Sequence, residues 1–264
     1  MNSVMGFLPG LSGEQERALR RKRLGTRDAL RAYLKKHGPD NPVIASLPAA
    51  ARAELLYSPT DVSLATAQKV AKIFQKELRW AQKEGSRLRE SQGLGAGRGP
   101  GPKRLILVGS ARREKPRSKD VDLLLVLPGA PPPEGSPAAR SSPLQGVTLA
   151  GGAEILATYA QGPRRRAFIL KLGRARHRVD LFLAYDSEMP YALYHFTGNA
   201  IHEIRVRAHA KRLGWRLNQY GLFYASSGRR VRGSGGIKTE DDLARFLGVT
   251  PKPPRERDEP GKLS

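Results

Sequence analysis

The sequence predicts an α+β fold in which a small sheet of about five strands is backed by two helices. Short apolar runs bounded by Gly- and Pro-rich stretches, which are typical of buried strands, cluster between residues 105 and 185. Segments with apolar residues at helical spacing lie before and after them. The 264 residues are enough to bury one large core or two modest ones. We therefore expect a helical segment first, the sheet second and a small α+β subdomain last.

Residues 1–60 are predicted to form the helical segment. Apolar residues at helical spacing run through residues 12–36, interrupted by one glycine, until a Gly-Pro pair ends the pattern. An Ala-rich stretch over residues 49–56 predicts a second, shorter helix. A longer helix predicted over residues 64–88 opens the central domain, which we assign to residues 61–189.

The sheet of the central domain is built from five apolar segments. A short helix is expected after the first strand, from Ser110, and a Pro-, Gly- and Ser-rich loop over residues 128–143 follows the second strand. The strands are predicted over residues 105–108, 121–127, 154–161, 166–172 and 178–185.

The last part of the chain changes pattern and is predicted to form a small α+β subdomain over residues 190–254. It begins with a helix over residues 200–213 and continues with hairpin-like segments around residues 218–231. A final helix starts at Thr239, whose hydroxyl can cap it. Residues 255–264 are Pro-rich and charged, which favours a flexible tail.

The chain is strongly basic. Its 47 Lys and Arg residues against 24 Asp and Glu give a formal net charge of +23, spread along the chain instead of being collected in a tail. This balance favours nucleic acid as a partner over a merely charged surface. Cysteine is absent, which excludes disulfides and thiolate sites, and no apolar run approaches the ~20 residues of a membrane span. We expect an intracellular, soluble protein with no membrane partner.

Two carboxylates are predicted to share one face of the second strand. Alternate residues of a strand point to the same side, so Asp120 and Asp122 face one way while Val121 and Leu123 face the core. Neighbouring carboxylates repel each other unless a divalent cation lies between them, and Asp oxygens are ligands that Mg²⁺ prefers. The pair therefore indicates a metal site.

A third acid, Asp180, lies alone in the otherwise apolar fifth strand and is a candidate third ligand. Two alternatives stay open from the residues alone. The acid pair could be an ordinary solvated strand face, and Asp180 could form an ion pair with Arg176 or Arg178.

A candidate phosphate site precedes the acid pair. Gly109 and Ser110 follow the first strand directly, where a tight turn offers backbone N–H groups and a hydroxyl at the start of a helix. Arg112, Arg113 and Lys115 add positive charge suited to a triphosphate. The alternative is an ordinary strand-to-helix turn.

Several segments of the chain occur together in an order typical of one enzyme family. They are Gly109-Ser110-Ala111-Arg112-Arg113, Asp120-Val121-Asp122-Leu123-Leu124, Arg178-Val179-Asp180-Leu181-Phe182, Tyr194-His195-Phe196-Thr197-Gly198, Ile204-Arg205-Val206-Arg207, Leu217 to Phe223, and the helix from Thr239. In this order and spacing they resemble the family X DNA polymerases, and the short viral members most. Separated motifs in one order are far harder to obtain by chance than any single motif.

The resemblance implies a nucleotidyltransferase palm over residues 61–189 and a nascent-base-pair subdomain over residues 190–254. It also implies two Mg²⁺ ions, with Mn²⁺ as a substitute, held by catalytic acids at positions 120, 122 and 180. The residues assigned by resemblance are Asp120, Asp122 and Asp180 for the metals, Gly109, Ser110, Arg113, His195, Phe196, Gly198 and Asn199 for the nucleotide, and Arg205, Arg207 and Lys211 for DNA.

The activity implied by the resemblance is transfer of a nucleotide from a deoxynucleoside triphosphate to a primer 3′-hydroxyl, with gap filling in base excision repair as the expected task. Primed or gapped DNA is the expected partner, a DNA ligase or other repair proteins are further candidates, and a monomer is the expected state. The alternatives are template-independent addition, transfer to RNA or a small molecule, and a catalytically inactive protein that binds DNA by charge.

Several positions depart from the family's usual pattern. His195 stands where a tyrosine is usual and Lys119 where glycine or Ser-Gly is common, so sugar discrimination and triphosphate contact are expected to differ. Glu203 or His202 takes the place of the usual polar residue on the helix after Gly198, and a carboxylate near a base edge would alter nucleotide preference. Residues 1–60 are too few for both a lyase domain and a helix-hairpin-helix module of roughly 50 residues or more each. Deoxyribose-phosphate lyase activity is therefore not expected, although Lys35 or Lys36 could supply an amine.

Overall fold

The computed structural model of the chain describes residue 8 and residues 10–91, 104–134, 136 and 153–258, the side chains of 78–91 excepted. Its mixture of helices with a five-stranded sheet confirms the predicted α+β class. Within that part of the chain, no helix combines the length and the apolar character needed to cross a membrane.

Four short helices form an amino-terminal module. They are α1 (Gly13–Arg21), α2 (Arg27–His37), α3 (Pro42–Ala45) and α4 (Ala49–Tyr57). Ser12 and Thr26 cap α1 and α2, each side chain accepting a hydrogen bond from the backbone N–H three residues further on. Leu30 and Ile44 lie fully buried in the module's own core. Sequence reasoning misses α3, because four residues are too few to show a helical period.

The central domain contains seven strands and two helices within the described residues. They are β1 (Val62–Ser63), α5 (Leu64–Ser91), β2 (Arg104–Leu107), α6 (Gly109–Arg112), β3 (Arg117–Ser118), β4 (Asp120–Leu127), β5 (Ala153–Gln161), β6 (Arg165–Leu172) and β7 (Ala175–Tyr185). Five of the strands form one sheet in the order β2-β4-β7-β6-β5, while β1 pairs only with β3. Only β4 and β7 run parallel in the five-stranded sheet, and the other neighbours are antiparallel.

The alternation of β4 separates its acids from the main core, as predicted. Val121 and Leu123 are fully buried in the cluster shared with α5. Leu124 faces the other way, into a second cluster under the carboxyl-terminal subdomain. Asp120 and Asp122 share that second side at the amino end of the strand, because alternate residues lie on one face. The sheet therefore presents two carboxylates where its apolar cover ends.

The carboxyl-terminal subdomain consists of α7 (Met189–Thr197), α8 (Ala200–Arg212), β8 (Trp215–Asn218), β9 (Gly221–Tyr224) and α9 (Glu240–Phe246). The first of these helices was not predicted. Pro190 lies in its first turn, where the missing N–H of a proline needs no partner. The capped last helix is confirmed, since the Thr239 hydroxyl accepts a hydrogen bond from the Asp242 N–H at 3.0 Å.

The hairpin-like pairing predicted around residues 218–231 is present, and it starts earlier than predicted. Phe223 forms an antiparallel bridge with Arg230. A hairpin precedes this bridge, in which β8 pairs with β9, with Trp215 opposite Tyr224 and Asn218 opposite Gly221. A connection of only two residues closes it, which is the shortest common hairpin loop.

The flexible tail predicted over residues 255–264 is wrong for residues 255–258. Pro254–Glu256 forms a 3-10 helix. Arg257 is 3% exposed, and its Nη1 lies 3.0 Å from Glu240 Oε1. Burial of a charge is tolerated when it is paired, and this pair holds Arg257 against α9. Residues 259–264, and residues 135 and 137–143 of the loop predicted over 128–143, lie outside the described part of the chain. The domain boundaries stay predictions.

Candidate active site

The structure brings Asp120, Asp122 and Asp180 together. The parallel pairing of β4 with β7 sets Asp122 opposite Asp180 and Asp120 opposite Arg178. One carboxylate oxygen from each of the three acids lies within 4.8 Å of the others. Three acid side chains converge because two lie on alternate residues of β4 and the third on the neighbouring strand.

Burial and mutual repulsion make the charged form of this cluster costly. Burial, followed by the charges of Asp120 and Asp180, raises the pKa of Asp122 to about 8. Burial and then the charge of Asp180 also raise the pKa of Asp120, although the Arg178 guanidinium opposes this. A divalent cation would relieve the repulsion, and carboxylate oxygens are the hard ligands that such cations prefer. The donor set therefore fits a divalent metal site.

Arg165 forms the ion pair with Asp180. Its Nη2 donates to Asp180 Oδ1 at 2.7 Å, and its Nε donates to the same oxygen at 3.0 Å. The alternative pairing of Asp180 with Arg176 or Arg178 is not the one observed, since Arg178 binds Glu54 of α4. Arg165 begins β6, which lies beside β7, so it reaches Asp180 across the sheet. No local sequence pattern marks this contact.

Gly109 forms the wall of the acid cluster. Its φ angle is +62°, in the left-handed region that favours glycine. A Cβ atom placed on it would lie 1.9 Å from Asp122 Oδ2, so no side chain fits there. Ser110 follows in the four-residue helix α6, and Arg113 Nη2 donates to the Ser110 hydroxyl at 3.4 Å. The predicted phosphate turn thus lies directly against Asp122, one of the three acids.

Several of the predicted phosphate-binding groups meet one carboxylate of the chain itself. Arg113 Nε donates to both oxygens of Asp258, at 3.1 and 3.2 Å, and its Nη1 donates to the Thr197 carbonyl. Lys115 Nζ lies 3.0 Å from Asp258, and Asn199 Nδ2 donates to it at 2.9 Å. Asp258, which the sequence assigns to a flexible tail, therefore holds Arg113 and Asn199 in place.

The predicted sugar and base site lies where α7 and α8 meet. Phe196 stacks on Phe182 of β7 with ring centroids 4.0 Å apart, and His195 meets Phe196 edge-on at 4.7 Å. Gly198 follows with a φ angle of +66°. Asn199 then caps α8, its Oδ1 accepting two backbone hydrogen bonds from the first turn. The structure thus places all four of these residues in one short stretch beside β7.

The predicted DNA-binding residues lie along α8. Arg205 and Lys211 are exposed. Arg207 is half-buried, and its Nη2 lies 2.7 Å from Glu203 Oε1. The same carboxylate contacts His195 Nδ1. Glu203 therefore joins a predicted DNA-binding residue to a predicted nucleotide-binding one.

Sequence reasoning misses a charged junction between the sheet and the carboxyl-terminal subdomain. Arg112 donates to the Thr197 hydroxyl and to both carboxylate oxygens of Glu240. Arg257 reaches the same glutamate and lies over the Tyr194 ring at 4.5 Å. The partners Arg112 and Glu240 are 128 residues apart, so no local pattern could predict the pair. Arg112 thus binds Thr197 and Glu240 at the junction, whereas its charge had suggested a contact with the triphosphate.

The sequence matches known proteins over its central and carboxyl-terminal parts. Residues 192–258 match the family model of the DNA polymerase beta thumb. Repair DNA polymerase X of African swine fever virus is 32% identical over 155 residues, which cover 59% of this chain and 82% of the viral protein. DNA polymerase lambda of Rattus norvegicus is 30% identical over 169 residues, which cover 58% of this chain and 28% of the rat protein.

The fold is similar to a solved structure over nearly the whole chain. The crystal structure of Leishmania infantum polymerase beta in a ternary P/T complex has a TM-score of 0.62 and 21% identity, and the match covers 97% of this chain and 98% of that one. The sequence match to the viral enzyme extends over most of that protein's length, and the thumb model covers the subdomain beyond the sheet. The chain therefore belongs to the family X DNA polymerases.

Proposed function

We propose that this polymerase fills short gaps in DNA, adding a nucleotide from a deoxynucleoside triphosphate to a primer 3′-hydroxyl with Mg²⁺ as the metal. The observation that carries the proposal is the cluster of Asp120, Asp122 and Asp180 against the Gly109 turn. It combines ligands for divalent cations with a phosphate-binding turn in one site. A relative named as a repair DNA polymerase supports repair as the task.

The three acids have different parts in the proposed reaction. Asp120, Asp122 and Asp180 would hold the divalent cations, and Asp180 would also help to take the proton of the primer 3′-hydroxyl. Bound there, two divalent cations supply activation of the attacking oxygen and neutralise charge on the triphosphate. Arg165 donates two hydrogen bonds to Oδ1 of Asp180, so Oδ2 would be the oxygen available to a cation.

The nucleotide is bound between the turn and the α7–α8 junction. Ser110 and Arg113 bind the triphosphate, because a hydroxyl and a guanidinium next to the acids suit phosphate oxygens. His195, Phe196 and Gly198 line the sugar and base, with the position of Phe196 fixed by its stack on β7. The remaining residues of this assigned site are Gly109 and Asn199.

DNA is the proposed macromolecular partner. The net charge of +23 favours a polyanion, and Arg205, Arg207 and Lys211 place three cationic side chains along α8. A structure of similar fold was solved as a ternary P/T complex, which supports a primer-template as the substrate. The proposal includes an intracellular monomer that acts in base excision repair with a DNA ligase or other repair proteins.

The test is primer extension across a one-nucleotide gap, with each deoxynucleoside triphosphate and Mg²⁺. An unprimed single strand and a ribonucleoside triphosphate serve as comparison substrates. The proposal predicts addition of the nucleotide that pairs with the template, at the gap. Untemplated addition to the single strand would identify a terminal transferase instead, and no addition with either Mg²⁺ or Mn²⁺ would overturn the proposal.

A further inference from the structure

Glu54 is a buried acid with no part in the chemistry proposed above. It lies on α4 of the amino-terminal module and is 2% exposed. A carboxylate this deeply buried is costly unless it is paired. Its partners are two arginines: Arg27 Nη2 lies 3.1 Å from Oε1, while Arg178 Nε donates to Oε2 at 2.8 Å and Arg178 Nη2 donates to Oε1.

Arg178 connects this buried pair with the strands that carry the catalytic acids. Its Nη1 donates at 2.7 Å to the carbonyl of Lys119, the residue before Asp120. Arg178 lies opposite Asp120 in the β4–β7 pairing, and it shares a face of β7 with Asp180, two residues further on. Glu54 thus binds a guanidinium that lies within reach of two members of the acid cluster.

An unrestrained guanidinium at this position would compete with a metal ion. Guanidinium groups form paired hydrogen bonds with carboxylates, so Arg178 could bind Asp120 or Asp180 instead. In the structure all three of its side-chain nitrogens are engaged elsewhere, two by Glu54 and one by the Lys119 carbonyl. These hydrogen bonds use three of the five N–H donors and fix the plane of the guanidinium.

We propose that Glu54 is a positioning residue for the metal site: it restrains the Arg178 guanidinium so that Asp120 and Asp180 stay open to divalent cations. This inference rests on the proposed function, because it takes the three acids to be metal ligands. It gives the amino-terminal module a part in the reaction other than lyase chemistry. A second contact fastens the same segment to β7, since the Thr60 backbone N–H donates to the Arg176 carbonyl at 2.9 Å.

The test measures Mn²⁺ binding to the full chain without DNA or nucleotide. The electron paramagnetic resonance signal of free Mn²⁺ reports how much of the ion remains unbound. Glu54→Gln is expected to weaken binding about tenfold, because Arg178 then pairs with the acids. In an Arg178→Gln background the same change is expected to have no effect, since the competing cation is gone. Arg178→Lys keeps the positive charge but lacks the planar guanidinium that binds Glu54 through two hydrogen bonds, so it should also weaken Mn²⁺ binding. This variant replaces Glu54→Gln in the test if Glu54→Gln does not fold.

Glu188→Gln is the matched control. Glu188 is also 2% exposed and pairs with an arginine, Arg164, at 2.7 Å, but it lies beyond the carboxyl end of β7. The Glu188→Gln variant should have a lower melting temperature and an unchanged Mn²⁺ affinity.

Two results would overturn the inference: equal Mn²⁺ affinities for Glu54→Gln and Glu188→Gln, or a loss that persists in the Arg178→Gln background. An unchanged affinity in Arg178→Lys would also count against it. Failure of the proposed function would look different. In that case the unaltered chain would bind no Mn²⁺, or its binding would survive Asp122→Asn.

Discussion

Replacement of Gly109 by alanine tests whether the turn and the acid cluster form one rigid site. The added Cβ would lie 1.9 Å from Asp122 Oδ2, 2.7 Å from its Cγ and 2.9 Å from its Cβ. Contacts below 3.0 Å essentially never occur, so the carboxylate or the turn must move by about 1.1 Å, the difference between 3.0 and 1.9 Å. A displacement of about 1 Å in a reacting centre costs on the order of 100-fold in rate. We expect Gly109→Ala to lower single-turnover nucleotide incorporation by at least that factor.

Gly173→Ala supplies a control with the same backbone strain. Its φ angle of +61° nearly equals that of Gly109, but no atom lies within 4 Å of the added Cβ. Gly173→Ala should lose about 1 to 2 kcal/mol of stability through the left-handed backbone, and Gly109→Ala should lose at least as much, measured by denaturant unfolding. Only Gly109→Ala should also lose incorporation and Mn²⁺ affinity. Similar incorporation rates in the two variants would refute the reasoning, because strain alone would then explain the change.

Four further predictions follow from charge, capping and packing. Since the pKa of Asp122 is raised to about 8, a proton competes with the metal ion for this carboxylate below that pH. The Mn²⁺ affinity should therefore rise about tenfold per pH unit between pH 6 and 7 and level off above pH 8. An affinity that does not change with pH would contradict this. Thr239→Ala removes the side-chain cap of α9 and should lower the free energy of unfolding by about 1 kcal/mol, measured by thermal unfolding. The control is Lys211→Ala, a change at an exposed residue, which should leave the free energy of unfolding unchanged. Phe74→Ala removes a ring that is 1% exposed and stacked on Phe168, and should cost about 3 to 5 kcal/mol in denaturant unfolding; a cost under 1 kcal/mol would show a looser core. Affinity for gapped DNA should fall by about 10³ or more between 50 and 200 mM salt if six or more phosphates are contacted, and a flat salt dependence would contradict a charge-driven interface.

Most of the sheet and the acid cluster could be predicted because they depend on local patterns. The alternation of apolar and acidic residues in β4 decides which side chains face the core, and it holds in the structure at Val121 and Asp122. The turn at Gly109 follows a strand directly, so its position beside the acids comes from chain connectivity. Strand bounds differ from the prediction by at most three residues, which is the usual uncertainty at element ends.

The contacts that sequence reasoning misses join residues far apart in the chain. Glu54 and Arg178 are 124 residues apart, and Arg113 and Asp258 are 145 apart. A basic sequence offers many arginines for each acid, so composition cannot show which pairs form. Burial decides the pairing, because an acid such as Glu54 must find a partner once folding removes it from water. The packing of residues 255–258 was missed for the same reason, since Asp258 has no local partner that would mark it as ordered.

The amino-terminal module illustrates what composition cannot show. Its helices and core were predictable in outline, yet the part it takes in the site depends on one buried side chain. Lysines 35 and 36 lie in the last turn of α2, where cations favourably face the negative end of the helix dipole. That placement gives both lysines an ordinary structural reason to be there.

The measurement that tests the central claim most directly is single-turnover incorporation at a one-nucleotide gap by Asp180→Asn, with DNA affinity measured on the same protein. Asparagine keeps the size of the side chain and removes the charge that a metal ion needs. The account predicts that incorporation with Mg²⁺ falls to background while the affinity for gapped DNA is unchanged or slightly higher. Incorporation within a few-fold of the unaltered chain would contradict the assignment of Asp180, and with it the three-acid site.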